Sequence, residues 1–187
     1  YQPSLLCDYM EVETEEDKAT RVYDAIKEKI SDYSLRCIYR AYLSAVPGKE
    51  TAILRYVVLG FKVGRQLGSL HGNPVVKDIE SMVKKISVEK ERMLQFVRFE
   101  VMETAGREIL YARVESDHDV LELVADHFAD RFRHDPVIIC DVGRNKAIVA
   151  YEGSWYSTPF SGTTLPDGSE MRRTRDECDY QKLWRTY

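Results

Sequence analysis

The sequence is short of most features that announce a chemistry. Its four cysteines, Cys7, Cys37, Cys140 and Cys178, form no CxxC pair and no Cys/His cluster. A radical S-adenosylmethionine cluster needs three closely spaced cysteines and a structural zinc site usually needs paired ones, so the chain builds neither. Isolated thiols of this kind suit a reducing compartment, and the expected location is cytoplasmic. No apolar run is long enough to span a membrane, and no basic-then-apolar leader opens the chain, so a membrane is not an expected partner. There is no Walker loop, GxGxxG, HExxH or GxSxG. The HxE and PCxxC pair of the zinc deaminases is missing as well. Neither a cofactor nor a metal is expected. Ten glycines and six prolines are too few for a collagenous or Pro/Gly-rich disordered chain.

What is present is mass for a core. Of 187 residues 44% are apolar, with twelve Tyr, six Phe and two Trp. A chain of that length buries a core without disulfide or metal staples, and one domain over residues 1–187 is expected. The formal net charge is −4, which argues against a uniformly basic coat for nucleic acid. Six acids and no base fall in the first seventeen residues, however, and the remainder carries a slight positive excess. The acidity is an end effect.

Apolar spacing organises the chain into two parts. Thr14 is a plausible N-cap for a helix from Glu16 to Ile30, and a second short helix follows around Leu35, Ile38, Tyr42 and Leu43. From Glu50 to Leu67 apolar residues fall on nearly every side, which predicts a helix buried in the middle of the fold. A long helix runs from Val75 to about Gln95. The period then changes to that of strands. Phe96 to Met102 and Ile109 to Val114 read as a hairpin, Leu121 to Phe132 as a helix capped by Asp117 or Asp119, and Pro136 to Val142 as an inner strand. Ala147 to Tyr151 returns from it, Trp155 to Pro159 is an edge strand, Thr163 to Ser169 a loop, and 176–187 the start of a final helix. Helices over about 12–95 followed by a mainly antiparallel sheet over about 96–160, with one packed helix, make an α+β fold.

Three constellations carry candidate chemistry. The densest polar segment, Ser116 to Phe132, combines Asp117, His118, Asp119, His127 and Arg131. Carboxylates and a histidine at a helix start could serve acid/base work or bind a divalent cation; equally, they could cap the helix and bond the backbone. His118 and His127 are nine residues apart, near opposite faces of a helix, which is not a zinc-helix spacing. The second candidate is Asp141, which sits with Arg144 at a strand end where loops often present functional groups, although an Asp–Arg pair also stabilises an ordinary turn. The third is a set of cations (Arg40, Arg55, Lys84, Lys85, Arg92, Arg98) interleaved with aromatics, as a nucleic-acid groove requires and as a solvated helix face also displays.

Several segments in order, among them LRYVVLGFKVG, ERMLQFVRFE, ILYARVESDHDVLELVADHFADRF and IICDVGRNKAIVAYEG, resemble a bacterial family of probable DNA metabolism proteins that carry a DUF4130 domain. The resemblance runs from about Val12 to Trp184. It implies an association with a radical S-adenosylmethionine protein acting in DNA modification or repair, and with uracil-DNA glycosylase-like domains fused to some members. It carries over no catalytic residue. Members of the family have His where this chain has Glu91, and they extend at both ends. Since the chain also opens at Tyr1, both ends are expected to be truncated. The resulting expectation is an accessory protein that binds nucleic acid through Arg40, Arg55, Arg92, Arg98, Arg131 and Arg144 and works with a radical enzyme. The alternatives are a stand-alone hydrolase using Asp117, His118, Asp119, His127 or Asp141, and a protein-binding scaffold.

Overall fold

The computed structural model describes residues 13–160 and 170–186. The expected loop from Thr163 to Ser169 lies outside them. Four helices come first: α1 (Glu16–Lys29), α2 (Asp32–Leu43), α3 (Lys49–Val63) and, after a 3-10 segment (Gly64–Ser69), α4 (Pro74–Phe96). Their starts are set locally. The Ser31 hydroxyl accepts the Ser34 N–H at 3.0 Å to open α2. Asn73 does the same for Val75 at 2.9 Å to open α4, with Pro74 at the first position, where a missing N–H costs nothing. Thr14 is not a cap: Glu15 holds that position without a side-chain bond, and Glu16 and Asp17 complement the dipole of the first turn instead.

The sheet follows: β1 (Glu100–Thr104), β2 (Arg107–Val114), β3 (Val137–Asp141), β4 (Lys146–Tyr151), β5 (Ser154–Pro159) and the short β6 (Arg172–Arg173). Its order is β5-β4-β3-β2-β1-β6. Only β2 and β3 pair in parallel, and α5 (Leu121–Arg131) is the crossover between them. The fold is α+β. The β1–β2 hairpin turns on Ala105–Gly106 and the β4–β5 hairpin on Glu152–Gly153; all four residues have positive φ, the two-residue turn that matches strand twist. The closing helix α6 (Arg175–Thr186) packs beside β1.

The apolar residues divide into three clusters. One lies among the helices, with Ile30, Tyr56, Leu67, Val76 and Ile79. A second joins α4 and α5 to one face of the sheet through Ile86, Val124, Phe128, Ile139 and Ile148. The third covers the opposite face with Met102, Tyr111, Ile138, Cys140 and Phe160. Because β3 is enclosed on both faces, its residues Val137 to Asp141 are all buried, which accounts for the uninterrupted apolar run Val137–Cys140.

Three expectations are corrected. Helix α3 is not central: only Tyr56 and Gly60 are buried, because α1, α2 and α4 pack on one side of it while Leu54, Val58 and Phe61 face solvent. The first strand does not begin at Phe96: Phe96 closes α4, as Met93, Leu94 and Val97 all pack on the sheet-side core and keep the helical period to that point, and β1 starts at Glu100. Finally, α5 begins after Val120 with no side-chain cap: neither Asp117 nor Asp119 holds the N-cap position, and the Asp119 carboxylate is paired with Lys146 instead.

Candidate functional site

A groove of about 1100 Å³ runs between α4, the α2–α3 connection at Ala45–Pro47 and the segment leaving β2. Its helical wall carries Lys84, Lys85, Val88, Arg92 and Phe96. The set Lys85, Val88, Arg92, Phe96 recurs at intervals of three and four residues, so one helix face delivers it. Lys84, Lys85 and Arg92 are exposed and have no carboxylate partner among the described residues. Phe96 is 76% exposed at one end of the row. The facing wall is different in charge, with Glu115, Asp117 and His118.

Glu89 fastens the two walls. Its carboxylate accepts the backbone N–H groups of Asp117 and His118, the latter at 3.0 Å. The His118 ring accepts the Ala45 N–H on Nδ1 at 3.1 Å, which places the ring proton of the neutral imidazole on Nε2. The Asp119 N–H donates to the Leu43 carbonyl at 3.0 Å. Segment 117–119 therefore ties α2 and α4 to the sheet before it serves any ligand.

Behind that segment stand three ion pairs, one made by Arg144 and two by Lys146. Asp141 is fully buried and accepts from Arg144 twice, from its backbone N–H at 3.3 Å and from Nη1 at 3.0 Å. Arg144 also donates to the carbonyls of Ser116 and Asp117, at 2.7 and 2.8 Å. Lys146 lies between Asp119 at 3.3 Å and Glu122 at 2.8 Å. Burial pulls the Lys146 ammonium pKa down, but the hydrogen bonds and charges of Glu122 and Asp119 outweigh it and hold the ammonium above its ordinary value. The nearby Tyr39 phenol is raised, first by burial and then by Glu122.

The sequence candidates thus separate by place. Asp117, His118 and Arg92 line the large groove, and Asp119 and Arg144 line a smaller hollow of about 240 Å³ beside Tyr42 and Lys49. Asp141 lines neither, and its carboxylate is sealed from solvent. His127 is exposed on α5 with its ring edge-on to Phe128, and Arg131 lies 5.5 Å over the Phe132 ring. Arg40, Arg55 and Arg98 also line neither depression. Among the described residues no group of three or more His, Cys, Asp or Glu side chains is arranged to hold a metal ion. Sequence reasoning missed the role of Glu89 and the placing of Phe96 on the same face as Lys85 and Arg92. Carrying the three- and four-residue spacing one turn further along α4 would have found the second.

A family model for DUF4130, a domain of unknown function, matches residues 47–187. The chain belongs to the DUF4130 family. The match takes in α3, α4, the sheet, α5 and α6, and thus every wall of the groove but Ala45 and Val46; it leaves out α1 and α2. No match was found among curated proteins or solved structures. No described helix is long and apolar enough to cross a membrane.

Proposed function

We propose that this DUF4130 chain is an accessory protein of DNA modification or repair that binds nucleic acid in the groove beside α4 and works with a radical S-adenosylmethionine partner. The observation that carries the binding reading is the row of exposed cations on one helix face, Lys84, Lys85 and Arg92, which have no carboxylate partner among the described residues and end in the exposed ring of Phe96. Cations track phosphates and an exposed aromatic stacks a base. The polarity of the groove supports one orientation. Phosphates run along α4, and base edges turn to Glu115 and Asp117, whose carboxylates accept from exocyclic amines. The resemblance to probable DNA metabolism proteins supports the radical partner and the link to uracil-DNA glycosylase-like domains. The hydrolase reading has less support, because Asp141 is committed to Arg144 and Asp119 to Lys146.

The test is fluorescence anisotropy with labelled single-stranded and duplex oligonucleotides over a salt series. Affinity for single strands falls with salt, and the triple variant Lys84→Ala/Lys85→Ala/Arg92→Ala lowers the log–log slope by roughly 2, three contacts at about 0.7 each. Phe96→Ala weakens single-strand binding by about 1–3 kcal/mol without changing that slope. Salt-independent binding, or equal affinity in the triple variant, overturns the reading.

A further inference from the structure

On α3, Leu54, Val58 and Phe61 recur at i, i+4 and i+7 and so occupy roughly 60° of the helix circumference. They are 63, 46 and 46% exposed. A run this apolar is ordinarily spent on a core, but here the core is made from the other side of the helix by Tyr56 and Gly60. Arg55 and Lys62 lie along one edge of the stripe, and Arg65 follows in the 3-10 segment just past the Gly64 that ends α3; all three are exposed and have no carboxylate partner among the described residues. The only acid on α3 is Glu50, in its first turn. No residue of the stripe lines the nucleic-acid groove.

We propose that this face of α3 docks an amphipathic helix of a partner protein, whose apolar stripe lies on Leu54, Val58 and Phe61 and whose flanking Asp or Glu residues meet Arg55, Lys62 and Arg65. Two features of the face select that occupant. Its apolar part spans two helical turns, the length of one helix–helix seam and far less than the ~800 Å² per partner of a standard dimer. Its cations would also be brought together if a second copy docked face to face, since a two-fold contact sets a patch against itself. An acidic flank removes that repulsion and steers the encounter. The inference is independent of the groove, because different residues carry it.

The probes are two synthetic 21-residue helical peptides with the same leucine stripe, one flanked by Glu and the other by Lys, titrated against the full chain. The Glu peptide binds, and the Lys peptide binds weaker by about tenfold or more, a difference of about 1.4 kcal/mol. The double variant Leu54→Ser/Phe61→Ser, whose melting temperature stays near that of the parent because both side chains are exposed, loses Glu-peptide binding by a similar factor. Its oligonucleotide affinity is unchanged, which separates this result from failure of the groove. Equal binding of the two peptides, or binding of neither, overturns the proposal. So does phosphatidylserine-vesicle binding or self-association that disappears in the same double variant. Photocrosslinking from Val58→p-benzoylphenylalanine to residues 1–12 of the same chain would assign the face to the chain's own acidic end and overturn it as well.

Discussion

The guanidinium of Arg144 makes three hydrogen bonds in fixed directions, to Asp141 and to the carbonyls of Ser116 and Asp117. A planar fork can meet one carboxylate and two carbonyls at once, whereas an ammonium on a flexible stem cannot reproduce all three. Asp141 has no exposure, and among the described residues it accepts hydrogen bonds only from Arg144, so removing the arginine leaves a buried, uncompensated charge. Arg144→Ala is expected to lose about 3–5 kcal/mol of stability in urea titrations, and Arg144→Lys to fall between that variant and the parent. A loss below about 1 kcal/mol for Arg144→Ala would show that the pair carries little folding free energy and would return Asp141 to the list of candidates for chemistry. The same logic explains why residue types alone left this site open. An Asp–Arg pair across a three-residue turn reads alike whether it faces a substrate or a carbonyl, and only burial distinguishes the two.

Among the elements, α3 shows most directly how spacing can be read and still mislead. Its helical period was legible, as were the limits of α1 and α5, the existence of α2 and the inner position of β3, because each rests on local spacing or on an apolar run that only an enclosed strand tolerates. What spacing does not report is how many sides of a helix are covered. Apolar residues all round α3 predicted burial, yet it is packed on one side only, and that side is defined by a glycine. A Cβ at Gly60 would lie 2.5 Å from Ile30 Cδ1 and 3.0 Å from Leu67 Cδ2, so α3 can approach α1 and the 3-10 segment only where no side chain intervenes. In an exposed helix Gly→Ala gains up to about 1 kcal/mol. Here the fully buried Ile30 and Leu67 have little room to give, and overpacking costs about 1–3 kcal/mol. Gly60→Ala is therefore expected to lower stability by about 1 kcal/mol net. A raised melting temperature would mean that Ile30 finds another rotamer at no cost.

Across the whole molecule the helical core, the α5 side of the sheet and its far face each hold groups whose protonated forms are favoured by folding. Burial raises the Cys37 thiol among the helices and the Cys140 thiol behind the sheet, where its Sγ–H donates to the Phe160 carbonyl at 3.2 Å. Beside Cys140, burial and then the thiol itself push the Tyr111 phenol up to about 12. Lys146 is also raised, by the hydrogen bonds and charges of Glu122 and Asp119 against the opposing effect of burial. All four shifts have one sign. The unfolded chain releases each proton at a lower pH than the folded one, so the stability linked to these groups is fully present below their unfolded values and is lost as pH rises through the folded ones. The thiols begin this loss at about pH 8.5, and the phenol and the ammonium join above about pH 10. Urea midpoints are accordingly expected to hold level up to about pH 8.5, to decline above it, and to fall more steeply beyond pH 10. Cys140→Ala removes one titrating group without adding a charge, so it should flatten the first part of the decline relative to the parent, and soften but not abolish the second part, because burial, the larger cause of the Tyr111 shift, and the Lys146 pairs remain. A midpoint that stays constant to pH 10.5 would show that these buried protons are not linked to folding, and would mean that solvent reaches the Cys37 thiol among the helices and the Cys140 thiol behind β3 in the native state.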